Sequence, residues 1–140
     1  MTEAANVPEA ASLNPRPIRV LCVDDNRELA DTTQLLLNMQ GYFAKAHYAG
    51  RTALEDAREF KPDVCLIDLH MPGMAGDVLA AELLKLGQQP PPILIALTAM
   101  SGDLYRVVTT AAGFRRHLVK PVEPQALVRV IEEELQSSTH

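Results

Sequence analysis

Three aspartates, a threonine and a lysine stand directly after short apolar runs. Val20-Leu21-Cys22-Val23 precedes Asp24 and Asp25. Val64-Cys65-Leu66-Ile67 precedes Asp68, and Ile93-Leu94-Ile95-Ala96-Leu97 precedes Thr98. His117-Leu118-Val119 precedes Lys120-Pro121. Continuous apolar runs of this length read as parallel strands buried on both faces. Side by side in one sheet, their ends would gather three carboxylates, a hydroxyl and an ammonium at one edge. Carboxylates that close repel, and one pKa is driven up unless a cation is present. Magnesium (Mg²⁺) suits such a site, because it takes oxygen ligands, typically one or two carboxylates with waters and phosphate oxygens. A carboxylate can also attack phosphorus and form an aspartyl phosphate. Lys120 could pair with carboxylate or phosphate oxygens, and Thr98 offers a hydroxyl donor. Each piece alone is ambiguous: Asp-Asp often starts a helix, Lys-Pro is often a turn, and Thr is a common β former. Their joint placement at strand ends carries the inference.

The elements that must position these residues follow from periodicity. A strand from about Arg19 to Val23 leads through Asp24-Asp25-Asn26 into a helix over about Arg27 to Met39. Leu29, Thr33, Leu36, Leu37 and Gln40 fall near helical spacing there, and Gly41 follows as a stop. Tyr42 to His47 reads as a shorter strand whose mixed polarity suits a sheet edge. A helix over Gly50 to Phe60 turns Ala53, Leu54 and Ala57 inward, and Lys61-Pro62-Asp63 breaks it. The third strand ends at Asp68, and residues 69–76 form a Pro/Gly loop. A helix over Asp77 to Leu86 ends at Gly87, and Pro90-Pro91-Pro92 leads into the fourth strand. Ser101 or Asp103 caps a helix through Ala112, which Gly113 closes. Glu123-Pro124 starts the last helix, with Val128, Val130, Ile131 and Leu135 along it and Glu132-Glu133-Glu134 as its wet face. Five strands alternating with five helices predict an α/β fold, a doubly wound five-stranded parallel sheet with helices on both faces. In such sheets a ligand sits outside the carboxyl ends of the strands.

Composition narrows the classes. The 140 residues suit one domain, and 47% apolar content supplies its core. A formal net charge of -5 lacks the basic footprint of nonspecific nucleic-acid binding, so no nucleic acid is expected as a partner. No apolar stretch is long enough to span a bilayer, and the first residues lack a secretory pattern. The expectation is a cytoplasmic protein without membrane contact. Cys22 and Cys65 read as small core hydrophobes. Residues 1–17 read as a disordered leader or linker, 18–136 as the folded domain and 137–140 as a frayed tail.

The chain resembles the receiver domain of two-component response regulators from about Ile18 to Leu135. The resemblance rests on Val-Asp-Asp-Asn at 23–26, Asp-Leu-His-Met-Pro-Gly-Met-Ala-Gly at 68–76 and Ala-Leu-Thr-Ala at 96–99. Ala-Gly-Phe before His-Leu-Val-Lys-Pro-Val at 117–122 completes it. It implies the flavodoxin-like strand order 2-1-3-4-5. It implies Asp68 as phosphoacceptor, loaded from a phosphohistidine on a sensor histidine kinase or histidine phosphotransfer protein. Asp25 would bind Mg²⁺ directly, Asp24 largely through water, and Asp68 and the His70 backbone carbonyl would complete the protein ligands. Thr98 and Lys120 would hold phosphoryl oxygens, and the Lys120–Pro121 bond would be cis. The domain would catalyse only its own aspartyl phosphorylation and dephosphorylation. A downstream protein would read a surface within about 103–135, where Leu104, Tyr105, Val107 and Val108 exceed what one buried stripe needs.

Several positions depart from or tune that pattern. His117 stands where the family often has Tyr or Phe. It either faces solvent or swings inward as Thr98 moves toward the phosphoryl group. His70 and Met100 stand two places after Asp68 and Thr98, beside the path of attacking water. They predict a moderately long-lived phosphoryl state, tested by label loss from the alanine variants. Ala99 leaves room for the phosphodonor. The 117–122 segment looks like receivers of hybrid histidine kinases. Two other classes remain: a phosphorylation-independent pseudo-receiver, which the intact acidic pair, Asp68, Thr98 and Lys120 disfavour, and a hydrolase working through an aspartyl phosphate. The hydrolase would want a carboxylate at position 70. No Gly-x-Gly-x-x-Gly follows the first strand, so nucleotide binding lacks support.

Overall fold

The structure, a computed structural model, describes residues 16–99 and 103–138. Among these described residues ten elements alternate, strand then helix. They are β1 (Arg19–Val23), α1 (Arg27–Met39), β2 (Phe43–His47), α2 (Gly50–Phe60), β3 (Val64–Asp68), α3 (Gly76–Lys85), β4 (Ile93–Thr98), α4 (Asp103–Ala112), β5 (Arg116–Val119) and α5 (Pro124–Ser138). The five strands form one parallel sheet in the order β2-β1-β3-β4-β5, as the sequence and its resemblance led us to expect.

Strand burial explains that order. Every residue of β3 and β4 is buried, so both must be central. Alternate side chains feed two cores. Leu21, Cys65, Ile67, Leu79, Leu83 and Leu94 lie on the α2–α3 side. Val20, Cys22, Leu37, Leu66, Ile95 and Ile131 lie on the α1–α5 side. Each fully buried Leu or Ile contributes about 2 kcal/mol through the area it removes from water. The two thiols thus face opposite cores and are free, as read from the sequence. Burial pushes the Cys22 thiol up to about 12 and that of Cys65 upward as well, which leaves both inert near neutrality.

β2 is an edge strand, as its mixed polarity suggested. Its outward N–H groups are nevertheless satisfied. Those of Ala44 and Ala46 donate to Asn38 Oδ1 (2.8 Å) and Gln34 Oε1 (2.6 Å) on α1. An edge closed in this way offers no template for strand pairing there.

Several boundaries differ from expectation. β2 starts at Phe43 and β5 at Arg116, while α3 starts at Gly76 and ends at Lys85. α5 runs to Ser138, past the expected boundary at 136, because no Gly or Pro follows Leu135 to stop it. Asp103 is the first residue of α4, and the alternative cap Ser101 lies outside the described residues. The expected leader reached to residue 17, yet Arg16 is tied to the fold. Its guanidinium donates to both Asp63 carboxylate oxygens, at 2.9 and 3.2 Å, and Asp63 also accepts from Arg19 N at 2.9 Å. Such two-pronged pairs are geometrically specific.

Glu134 also departs from the expected wet face of α5. It is buried, because Arg115 Nε, just before β5, and Arg116 Nη1, at its start, reach across to its two oxygens at 3.0 and 3.2 Å. Glu132 and Glu133 are exposed, as expected.

Candidate functional site

Strand register assembles the site. Val23 pairs with Ile67, so Asp24 and Asp68 leave neighbouring strands at the same level. Asp68 pairs with Leu97, which sets Thr98 one step further along β4. Thr98 pairs with Val119, and Lys120 N donates to Thr98 O at 2.7 Å. All four strand ends therefore converge. Asp24, Asp68 and Thr98 are buried, and Asp25 is exposed at the rim. Each of the three aspartates can present one oxygen such that all lie within 4.8 Å of one another.

Local bonding fixes these side chains. Asp24 Oδ1 accepts from Asn26 N at 2.9 Å, while Asn26 Oδ1 caps α1 by accepting from Leu29 N at 3.1 Å. Asp68 Oδ1 accepts from His70 N at 3.1 Å, which curls the loop over the carboxylate. Lys120 Nζ donates to Asp24 Oδ2 at 2.7 Å and lies 3.5 Å from Asp68 Oδ2. The Lys120–Pro121 bond is cis, as expected, and so is Gln89–Pro90.

One ammonium faces three carboxylates, and the titration behaviour follows. Burial pushes the Asp68 carboxyl above the usual range. The His70 N–H bond opposes this, the Asp24 charge adds to it, Lys120 opposes it, and the Asp25 carboxyl adds to it. For Lys120, burial alone would lower the ammonium. The Asp24 hydrogen bond and the Asp24 and Asp68 charges outweigh that and raise it. The donor set is all hard oxygen and carries surplus negative charge, which fits a divalent cation such as Mg²⁺.

The other named positions fall as follows. His70 is exposed in the loop after β3, and Ala99 is exposed beside Thr98. Met100 lies outside the described residues. His117 is half-buried rather than solvent-facing, with its Nε2 atom buried. It pairs with Ala96, two residues before Thr98, and lines a cleft with Arg106, Thr109 and Phe114. Val107, Val108 and Val119 are exposed apolar groups on the α4–β5 side.

Gly76 is a site residue whose role the sequence reading missed. A Cβ there would sit 2.4 Å from Asp68 O, 2.8 Å from Leu69 Cα and 3.0 Å from Ile67 Cγ2. Gly76 N also donates to Leu69 O at 3.1 Å. α3 thus starts directly against the backbone that carries Asp68, and the two nearest obstacles are main chain. Gly76→Ala should lose about 2 to 3 kcal/mol, the upper range for overpacking a tight interior. Urea unfolding should show a lowered midpoint at unchanged slope; an unshifted midpoint would mean that the loop gives way freely.

A sequence model of the response regulator receiver domain matches residues 20–132. The chain belongs to that family. Its structure is similar to a CheY-like receiver domain protein of Methanospirillum hungatei. That match has 26% identity and a TM-score of 0.77 over 86% of this chain and 95% of the other. It is similar to the chemotaxis protein CheY4 of Vibrio cholerae, at 26% identity and a TM-score of 0.78 over 84% and 98%. The response regulator DrrB of Thermotoga maritima shares the fold at 22% identity, with a TM-score of 0.77 over 87% of this chain and 54% of that one. Receiver domains of two-component systems are signalling domains rather than enzymes acting on external substrates. Among the described residues, no helix is long and apolar enough to cross a membrane.

Proposed function

We propose that this receiver domain accepts a phosphoryl group on Asp68 from a phosphohistidine and converts the event into a changed protein-binding surface. The observation that carries this is the buried strand-end Asp68, with Asp24, Asp25 and the Lys120 ammonium gathered beside it. An Asp68 oxygen attacks phosphorus, the phosphorus–nitrogen bond of the donor breaks, and its imidazole leaves with the bonding pair and takes up a proton. Asp24, Asp25 and Asp68, with the His70 backbone carbonyl, would hold Mg²⁺. The ion supplies positive charge against the phosphoryl oxygens when bound. Lys120 supplies a second positive charge, and the Thr98 hydroxyl donates a hydrogen bond.

The donor is a sensor histidine kinase or a histidine phosphotransfer protein. The exposed small side chain of Ala99 leaves its imidazole room to approach. The output is read within about 103–135, where Val107, Val108 and Val119 offer apolar contact. His117 is the reporter. Its half-buried ring beside the small Ala96 has room to move inward when Thr98 shifts toward the phosphoryl group. A structure with a beryllofluoride mimic should place the ring deeper under α4, and an unmoved ring would remove it from the mechanism.

The test of the whole reading is direct. Incubation with Mg²⁺ and acetyl phosphate should add the mass of one phosphoryl group, and fragment masses should place it on Asp68. An unmodified chain would instead favour a constitutive interaction module.

A further inference from the structure

A cavity of about 360 Å³ lies between α1 and the turn that joins β5 to α5. Its floor is Cys22, Leu66 and Leu97, and Ala30, Thr33 and Leu127 form its walls. Cys22, Ala30 and Leu66 are at most 2% exposed, so the space reaches into the core rather than across the surface. It exists because small residues stand where α1 crosses the sheet: Cys22 on β1 and Ala30 above it. Leu29, 38% exposed, stands at its outer lip.

We infer that this cavity binds a small neutral aromatic molecule of about two fused rings that carries one hydrogen-bond donor. Size sets the first limit. An apolar cavity of about 150 Å³ takes up benzene, and this one is more than twice as large. Charge sets the second. Among the described lining residues the ionic groups are Asp24 and Lys120, which bond each other at 2.7 Å, and the rest of the lining is uncharged, so a charged guest seated there would lose its hydration without gaining a partner. Hydrogen-bond direction sets the third. The Thr33 hydroxyl donates its one proton to Leu29 O at 2.8 Å, which leaves its oxygen as an acceptor on the wall. A guest with an N–H or O–H meets it; a guest with only acceptors does not. The remaining wall is apolar, which favours an aromatic body.

Indole is the probe. The chain contains no tryptophan, so indole fluorescence reports binding without background from that residue. Titrating the full chain into indole should give a saturable blue shift at one equivalent, with or without Mg²⁺. Thr33→Val keeps the volume and removes the acceptor. It should weaken indole about threefold to tenfold, the worth of one neutral hydrogen bond. N-methylindole should bind the wild type more weakly by a similar factor and lose nothing further in Thr33→Val. Ala30→Leu fills the space and should abolish the shift while circular dichroism stays native. If that variant does not fold, the indole and N-methylindole pair on wild type and Thr33→Val decides alone. No saturable shift in the wild type overturns the proposal. So does equal binding to folded Ala30→Leu, or equal affinity for indole and N-methylindole.

Discussion

Asp68→Asn should take up no phosphoryl group from acetyl phosphate, and in Mg²⁺-free buffer it should be more stable than the wild type. Loss of uptake follows from the amide, which is not a nucleophile toward phosphorus at neutral pH. The gain in stability follows from the electrostatics. In the wild type, burial and the Asp24 charge push the Asp68 carboxyl above its ordinary range. Its ionised form is therefore the strained one. A carboxyl raised in the folded state contributes stability at pH below its unfolded value and loses it as pH rises through the folded value. The wild type should lose that contribution as pH rises above the ordinary carboxylate range, while the amide variant does not. The amide can still accept from His70 N, as Asp68 Oδ1 does at 3.1 Å. The expected gain at neutral pH is about 1 kcal/mol, ordinary for relieving a functional site.

Urea midpoints for the two proteins should converge in acid and separate as pH rises. Asp56 pulls the other way in both. Burial alone would raise its carboxyl, but hydrogen bonds from His47 and Lys45 hold it below the usual range, so its contribution fades only in acid. Being common to both proteins, it cancels in the difference. Mg²⁺ should close the gap at neutral pH, because it binds the native wild type and stabilises it by mass action. A wild type more stable than Asp68→Asn in Mg²⁺-free neutral buffer would contradict the crowding of charge at this edge.

The strand ends were legible because a parallel strand buried on both faces leaves an unbroken apolar run, and the residue after it is marked by contrast. That signal located Asp24, Asp25, Asp68, Thr98 and Lys120, and strand register brings them together. What was not legible shares one physical character: partners distant in sequence that impose no period. Gly76 was placed in the loop, but its requirement is close approach of its Cα to Asp68 O. Nothing local distinguishes that from any loop glycine. Glu134 sits in a run of three glutamates that looks uniformly wet. Two arginines 18 and 19 residues earlier in the chain bury it. Gln34 and Asn38 close the edge of β2, a role that no spacing within α1 marks.

Lys120→Met should be the most destabilising change at the site. The substitution keeps most of the apolar stem and removes only the ammonium, which makes a 2.7 Å bond to Asp24 and sits 3.5 Å from Asp68. The pair is well sheltered, with side-chain exposures of 22% for Lys120 and 5% for Asp24. Removing one partner from a buried pair leaves an uncompensated charge and costs about 3 to 5 kcal/mol. The lower end applies here, because Asp68 is already disposed to take up a proton and can relieve part of the repulsion. Without Lys120 its carboxyl rises further. By the same sign rule, the variant's deficit is smallest in acid, where Asp68 is protonated, and grows as pH rises through the folded value. Mg²⁺ should restore much of the loss, since it supplies the missing positive charge. Phosphoryl loading should stay slow even so, by about a hundredfold or more, the usual cost of removing one fixed donor from a developing charge. Stability and loading therefore separate: Mg²⁺ rescues the first and not the second. Urea midpoints with and without Mg²⁺, beside the intact-mass rate of phosphorylation, measure both. Loading restored along with stability would assign Lys120 to charge balance in the resting site alone.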